Sequence, residues 1–504
     1  MRYGVGRITL GLALCLIAGS AFAQTNLRIG LSSDPDALDP STSRTYTARN
    51  VFITMCDKLF DIDEKLNIVP QLALGYETSE DGKTVTIKLR PGVKFHDGEP
   101  MDAAAAKYSL DRHMTMKGSF RKPELSAVDS VEAVDPLTIK MHLKAPFSPL
   151  IAQLTDRAGM IVSPKAAEAE GDKFALHPVC AGPFKFVERV QQDHIVLEKF
   201  QDYWNKDHIF IDKITYQPIP DSTVRLANLR AGSLDMMEQV LATDIKSVRE
   251  DKRLALAKMV WLGWYGLLIN VANGPKSDNP LGKDPRVRRA LELSLDRDTI
   301  NQVVFNGEFV PGNQWVNPQS PYYQSQFPYP KRDVAKAKAL LKEAGVKTPL
   351  TLDYMVSNTS DSKAVAEVIQ AMAAEAGFDL KIRVTETATA LKEGEDGNFQ
   401  IYENLWSGRI DPDGNSVIYQ TCGAPQNMGH YCDKELDAWH QEARAAPDLA
   451  ARKAVYAKIT QRFLEKGWII YLYHPQVLTA YSTRVEGFRP VSDGMIRVQD
   501  VHLK

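Results

Sequence analysis

The 504-residue chain lacks an excess of charge of either sign. It carries 61 lysines and arginines against 63 aspartates and glutamates, a formal net charge of −2 at pH 7. Both signs are mixed along the sequence and form no charged blocks. An even balance of this kind provides no general electrostatic attraction to nucleic acid or to an anionic lipid surface. We therefore expect no nucleic-acid partner.

The sequence also lacks the short motifs that mark common enzyme classes. After residue 23 there is no GxSxG nucleophile elbow, no HExxH zinc motif and no GxGxxG dinucleotide loop. The 10 histidines are scattered singly, without the spacing of a metal site. We expect a protein that is not an enzyme and that uses neither a metal nor a cofactor.

Long apolar runs are scarce outside the N-terminus. There, Arg2 and Arg7 are followed by the apolar residues 8–18 and by the small-residue triplet AFA at residues 21–23. This order is typical of a secretory signal peptide, with cleavage expected before Gln24. No later segment approaches the ~20 apolar residues that a membrane-spanning helix needs. The sequence therefore predicts a soluble exported protein.

Cysteine is rare, and four cysteines remain after the predicted cleavage. In an oxidising compartment, disulfides are the expected state of Cys56, Cys180, Cys422 and Cys432. Cys422 and Cys432 close a short loop rich in turn residues, so we predict that they are bonded. The alternative is a metal site that combines thiols with His430. Cys56 and Cys180 are paired only by elimination, which leaves their state open.

Among the features that are present, the clearest is DGKTVTIKLRPGVKFHDGE at residues 81–99. Apolar and polar residues alternate over residues 84–90, which predicts a strand with one buried face. Pro91 and Gly92 suit the two central positions of a type II turn. Val93 and Phe95 resume the alternation and predict a second short strand.

The same segment ends in turn chemistry and a helix start. Asp102 is predicted to cap a helix over residues 103–113, because its side chain can accept hydrogen bonds from free amides of the first turn. His96 and Asp97 could suggest acid/base catalysis. We interpret them as a surface histidine beside a turn-forming Asp-Gly pair.

The second half of the chain alternates helices and strands. Helices are predicted over residues 333–344 and 361–376, and strands over residues 350–355 and 378–384. A strand, helix and strand at this spacing require a crossover connection, and hence a parallel strand pair. The fold class is therefore α/β.

Five segments in order resemble the signature regions of the family 5 solute-binding proteins, the receptors of peptide, opine and nickel ABC importers. They are SSDPDALDP at 32–40, KLRPGVKFHDGEP at 88–100, AGPFKF at 181–186, YW at 203–204 and DPRVRRALELSLDRDTI at 284–300. The third segment departs from the family pattern, since Cys180-Ala181 stands where Gly-Thr is usual.

The resemblance implies a two-lobed periplasmic-binding-protein fold of type II, in its large three-domain variant, with a ligand cleft between the lobes. It implies a periplasmic monomer whose partners are a small-molecule ligand and an inner-membrane ABC permease. We divide the chain into a signal peptide (1–23), a first lobe (24–55, about 200–285 and about 485–504), a smaller domain inserted in it (about 56–199) and a second lobe (about 286–484).

The segment NLWSGRIDPDGN at residues 404–415 is the strongest candidate for the ligand-binding wall. Its candidate ligand-binding residues are Trp406, Ser407, Gly408, Arg409 and Asp411. Dipeptide specialists of the family carry here an aspartate that pairs with the ligand's amino terminus. That position falls at Gly408, so the resemblance implies that this anchor is missing. Arg409 either clamps a ligand carboxylate or phosphate, or pairs with Asp411 or Asp413 in the loop.

Aromatic residues complete the predicted site. Trp406 is expected to stack on the ligand, and its neighbour Ser407 belongs to the same predicted site. Tyr46, Trp264 and Tyr265 form a second group of candidates.

Peptides are the substrate class that the resemblance implies. The missing anchor and the added Arg409 favour an acidic or modified ligand, such as an opine, a sugar phosphate or a carboxylate-rich peptide. A metal or haem carrier and a secreted hydrolase are the alternatives of other classes.

Overall fold

The structure, a computed structural model, describes Met1 and residues 24–446 and 448–504. The predicted signal peptide, apart from Met1, therefore lies outside the described residues. Within the described parts of the chain, none of the helices combines the length and the apolar composition that a bilayer crossing requires.

The described residues form an alternation of strands and helices along the chain. The strands are β1 Asn26–Leu31, β2 Phe60–Ile62, β3 Ile68–Pro70, β4 Ala73–Thr78, β5 Thr84–Leu89, β6 Val128–Asp135, β7 Thr138–Leu143, β8 Phe184–Val190, β9 His194–Lys199, β10 Lys213–Pro218, β11 Met236–Met237, β12 Leu254–Val260, β13 Trp264–Ile269, β14 Val310–Pro311, β15 Leu350–Ser357, β16 Phe378–Thr385, β17 Ile401–Trp406, β18 Ile469–His474, β19 Gln476–Ser482, β20 Val485–Glu486 and β21 His502–Leu503. The helices are α1 Tyr46–Met55, α2 Ala103–Thr115, α3 Leu150–Gln153, α4 Pro164–Glu170, α5 Ser222–Ala231, α6 Ile245–Glu250, α7 Pro280–Lys283, α8 Pro285–Ser294, α9 Arg297–Phe305, α10 Val334–Glu343, α11 Ser360–Ala376, α12 Thr387–Glu395, α13 Asp413–Gln420, α14 Lys434–Ala445 and α15 Leu449–Lys466.

A seven-stranded mixed sheet organises the first half of the fold. Its strand order is β12-β19-β11-β1-β10-β9-β8, and β1 runs parallel to both of its neighbours. A separate four-stranded antiparallel sheet, β4-β5-β7-β6, has a hydrophobic core of its own that includes buried residues of α2. We call these two sheets, with the elements packed on them, the first lobe.

A six-stranded sheet organises the second lobe, which we define as this sheet and its helices. Its strand order is β14-β18-β13-β17-β15-β16. Strands β15 and β16 are parallel and are joined through α11. The crossover unit predicted from residues 350–384 is therefore confirmed, because two parallel neighbours cannot be joined by a tight hairpin.

Sheet membership differs from the predicted division of the chain at two places. Strands β8 and β9 lie beside β10 in the seven-stranded sheet, although the inserted domain was predicted to reach residue 199. Strand β19 lies in the same sheet, although the second lobe was predicted to reach residue 484. The domain boundaries themselves stay a prediction.

The turn-rich segment at residues 81–99 folds largely as its sequence indicates. Gly92 has a φ of 74°, the positive value that the predicted turn requires. Asp102 caps α2 by accepting a hydrogen bond from the Ala105 amide at 3.0 Å. The predicted second strand is wrong: Val93 and Phe95 are buried, but the segment forms only an isolated bridge there.

His96 and Asp97 hold neighbouring chain segments together. The His96 ring lies 3.0 Å from the Gly182 carbonyl and accepts a hydrogen bond from the Cys180 amide. Asp97 accepts a hydrogen bond from the Ser163 hydroxyl at 2.6 Å. His96 thus supports the loop that carries Cys180, and Asp97 connects its turn to the start of α4.

Both cysteine pairs are bonded. The predicted disulfide between Cys422 and Cys432 is confirmed, and a second one joins Cys56, at the end of α1, to Cys180. Sulfur atoms that are bonded to each other are not available as thiolate ligands, so the alternative metal site at Cys422, Cys432 and His430 loses its donors.

Removing the short disulfide should cost moderate stability. The Cys422→Ser, Cys432→Ser double variant is expected to lose about 3 kcal/mol, because the open loop regains conformational freedom in the unfolded chain. Urea denaturation followed by tryptophan fluorescence measures this loss, with mass spectrometry as the control that the Cys56–Cys180 bond remains closed. An unchanged unfolding midpoint would show that the bond does not measurably restrict the unfolded chain.

Candidate ligand-binding site

A cavity of about 130 Å³ lies between the two lobes. A single water needs roughly 10–15 Å³ on the same measure, so the cavity has room for several waters or a small organic ligand. The first lobe contributes the end of β1 and the start of α1 to its wall. The second lobe contributes the starts of α11 and α12 and the end of β17. A ligand in this cavity would contact both lobes at once.

Tyr46 and Trp406 line the cavity from opposite lobes, as predicted for ligand-binding residues. Tyr46 donates a hydrogen bond to the Gly494 carbonyl at 2.6 Å and packs edge-on against Trp261. Trp406 donates from its ring nitrogen to Asn415 at 3.0 Å. These contacts hold both rings in fixed orientations beside the empty space between them.

Ser407 and Tyr265 also line the cavity, whereas Trp264 does not. Ser407 accepts a hydrogen bond from Arg49 of the first lobe at 2.9 Å. The Trp264 ring is fully buried and packs edge-on against Tyr419 and Tyr471, so its prediction as a ligand-contacting residue is not supported. Consecutive strand residues point to opposite faces, which separates Trp264 from Tyr265.

Arg409 lies outside the cavity lining and has a partner that neither predicted alternative named. Its Nε lies 2.6 Å from an Asp156 carboxylate oxygen of the first lobe. Asp411 pairs with Arg452 at 2.7 Å, and Asp413 pairs with Arg444 at 2.6 Å. The pairing within the loop is therefore wrong for Arg409 in this structure, and the position of Arg409 outside the cavity lining does not support the ligand clamp.

Asp156 is surrounded by arginines from both lobes. Besides Arg409, it lies 3.2 Å from Arg49 and 3.8 Å from Arg157. Burial alone would raise the pKa of Asp156, but the charges of Arg409, Arg49 and Arg157 hold it well below its usual range. The carboxylate therefore stays ionised at any pH near neutrality and bridges the lobes.

Gly408, the position of the missing amine anchor, also lies outside the cavity lining. Its φ is 79°, and a Cβ atom added there would overlap the Leu262 carbonyl group. The main chain after β17 crosses the main chain before β13 at this point. Only glycine allows this approach.

Three charged residues of the cavity wall were missed by the sequence analysis: Arg44, Asp361 and Glu403. Glu403 accepts hydrogen bonds from the Ser357 amide and the Ser362 hydroxyl, and burial raises its pKa. An acid inside a strand of mostly apolar residues was the available signal for Glu403. The other two lie at a loop and a helix start, where charge is common and gave no signal.

Polar atoms of the cavity wall lack partners. Arg44 donates to Glu395 at 2.6 Å and stacks on Phe120, but its buried Nε has no hydrogen-bond partner among the described residues. The Thr387 hydroxyl is also buried without a partner there. Buried polar groups are normally satisfied, so these atoms indicate where a ligand would bind.

Comparisons with known proteins agree with this geometry. The glutathione-binding protein GsiB of Pectobacterium atrosepticum is 28% identical over 509 residues, covering 98% of each chain. The binding protein AgaA from A. tumefaciens R10, solved with agropinic acid, superposes with a TM-score of 0.85 at 26% identity, covering 95% of this chain and 99% of its own. DppA from Helicobacter pylori, solved with the peptide STSA, gives a TM-score of 0.85 at 25% identity, covering 95% and 98%.

These structures confirm the predicted two-lobed α/β periplasmic-binding-protein fold. The family model of the bacterial extracellular solute-binding proteins, family 5, matches residues 67–428, which is most of the chain. The resemblance of the five sequence segments is thereby confirmed. This protein belongs to the family 5 bacterial extracellular solute-binding proteins.

Proposed function

We propose that this protein is the substrate-binding receptor of an ABC importer and that it captures a peptide or peptide-like ligand between its lobes. The observation that carries the proposal is the cavity itself, which both lobes line. Polar atoms of Arg44 and Thr387 in its wall have no partner in the described part of the chain. Family membership and the ligands named for GsiB, AgaA and DppA support the substrate class.

The mechanism needs binding and closure but no covalent chemistry. A ligand that contacts both lobes stabilises the closed arrangement because it binds that state more tightly than the open one. The Arg44–Glu395 and Asp156–Arg409 ion pairs also join the two lobes. An inner-membrane permease would then recognise the closed form and accept the ligand.

The charges of the cavity favour a ligand that carries both an anionic and a cationic group. Arg44 offers a cation whose Nε has no partner within residues 24–446 and 448–504, while Asp361 and Glu403 are acidic. The sequence suggested an acidic ligand because of Arg409, but Arg409 is paired with Asp156. Arg44 now supports the second candidate, an anionic ligand such as an opine, because its Nε can donate to a carboxylate.

We further propose that the protein acts as a monomer in the periplasm, without catalytic activity, after cleavage before Gln24. The charge, apolar run and small residues at positions 1–23 support export. The bonded cysteine pairs suit an oxidising compartment.

Mass spectrometry of the co-purified ligand tests the proposed function. Protein purified from the native compartment is denatured, and the released small molecules are identified; we expect a peptide or an amino-acid conjugate in nearly equimolar amount. Calorimetry with glutathione and with mixed di- and tripeptides then measures affinity. A Thr387→Val variant should bind more weakly by about 5–10-fold, since a neutral hydrogen bond is worth about 1 kcal/mol.

The same experiment separates the alternative functions. Release of stoichiometric metal or haem would identify a carrier of that cofactor, and conversion of the bound molecule during long incubation would identify a hydrolase. Either result would overturn the proposed receptor function. For the Thr387→Val binding measurement, the matched control is Thr351→Val. The Thr351 hydroxyl is exposed and donates a hydrogen bond to Asp379 away from the cavity, so this variant should bind like wild type.

A further inference from the structure

Asp361 is a carboxylate of the cavity wall that has no partner among the residues the structure describes. It lies in the first turn of α11, lines the cavity, and makes no hydrogen bond or ion pair with the described residues. The helix does not depend on it for capping, because the Thr359 hydroxyl already accepts from the Ser362 amide. Apart from the favourable placement of a negative charge at a helix start, the side chain has no structural contact among the described residues.

The groups that face Asp361 do not neutralise it. Arg225 attracts it, but the Arg225 guanidinium donates its hydrogen bonds to main-chain carbonyl groups instead. Asp244 and Glu403 repel it, and Tyr473 also faces it. Burial, opposed by Arg225 and assisted by the two acids, raises the pKa of Asp361 to about 7. An acid in such surroundings is stabilised by an added cation.

We propose that Asp361 binds the ammonium or other cationic group of the ligand, in place of the anchor that Gly408 cannot provide. The inference rests on the proposed function and specifies its substrate class as ligands with a free cationic group. Asp361 belongs to the second lobe and Arg44 to the first. A ligand with both charges therefore connects the lobes through one charge-assisted contact on each side.

A capture experiment tests the assignment. Immobilised wild-type protein, first stripped of ligand by denaturation and refolding, is offered a mixture of glutathione and a pronase digest of casein. The same mixture is offered after acetylation of its amines. We expect wild type to retain components of the free-amine mixture at least tenfold better than their acetylated forms, because acetylation removes the cation.

The Asp361→Asn variant is expected to bind the retained components 10–100-fold more weakly, the loss typical of a charge-assisted hydrogen bond. Its preference for free amines should disappear, which a purely structural role would not cause. Glu367→Gln is the matched control, since Glu367 is an exposed acid of the same helix. Glu367→Gln should leave affinity and amine preference unchanged.

The capture experiment tests the receptor function and the assignment of Asp361 separately. If wild type retains no component of either mixture, the proposed peptide receptor function fails. If wild type retains peptides and Asp361→Asn retains them equally well, the receptor function stands and the assignment of Asp361 fails. Retention of acetylated and free peptides alike would also overturn the assignment.

The pH dependence of binding provides an independent measurement. A ligand cation favours the ionised form of Asp361, so wild-type affinity should fall by up to about tenfold per unit below pH 7, near the pKa of Asp361. Affinity should also fall above about pH 8, where an α-ammonium group of the ligand loses its own proton. Asp361→Asn should lose the dependence below pH 7. Glu403 is still present in the variant, so a weaker pH dependence of affinity that persists would be assigned to Glu403. A pH dependence equal to that of wild type would contradict the assignment of Asp361.

Discussion

Replacing Asp156 with alanine is expected to destabilise the protein by about 3–5 kcal/mol, the cost of removing one partner from a buried ion pair. Asp156 and the arginines around it are almost fully buried. Without the carboxylate, Arg49, Arg157 and Arg409 would repel each other away from water. Chemical denaturation at pH 7 measures the loss.

The control is an aspartate whose ion pair is exposed. Asp202 lies 3.0 Å from Lys94, and more than half of its side chain and half of that of Lys94 are accessible to solvent. Asp202→Ala should cost less than about 1 kcal/mol, because water screens an exposed pair. Equal losses for the two variants would contradict the importance of burial at Asp156.

Arg409→Ala should cost less than Asp156→Ala. The remaining carboxylate keeps Arg49 and Arg157 as partners, so no buried charge is left alone. The ion pair between the lobes is lost, however, and ligand affinity should fall because the closed state loses a contact. The effect of Arg409 on binding is therefore indirect, and it should be the same for every ligand.

The sequence predicted local structure well wherever a single residue determines the backbone. Asp102 caps α2 and Gly92 takes the positive φ of its turn, because each depends only on immediate neighbours. The succession of strand, helix and strand over residues 350–384 likewise predicted a parallel pair of strands. Such signals identify elements and their order, and the five segments that resemble the family then identified it.

The site was predicted less well because its contacts join distant parts of the chain. Arg409 pairs with Asp156, which no local pattern connects to it. Every residue of β13 is buried, so alternation could not tell that Tyr265 faces the cavity while Trp264 faces the core. In the sequence, Asp361 indicates only the start of a helix. Its place in the cavity wall depends on the packing of segments that are distant in sequence.

A large effect of a single added side chain is expected at Gly408. Gly408→Asp would restore the residue that dipeptide specialists of the family carry, yet we expect a loss of about 3–5 kcal/mol instead of a gained amine anchor. Part of the cost comes from the positive φ, and the rest from overlap of the Cβ atom with the Leu262 carbonyl group. Thermal and urea denaturation, together with peptide binding, measure both expectations.

Gly92→Ala separates the two causes of that loss. Gly92 has a similar φ of 74°, but a Cβ atom there would meet no other atom within 4 Å. This variant should cost about 1 kcal/mol, the backbone contribution alone. If Gly408→Asp were as stable as Gly92→Ala and bound dipeptides more tightly than wild type, the two main chains would have to separate at the crossing. The amine anchor would then lie at the end of β17, and Asp361 would not be needed for it.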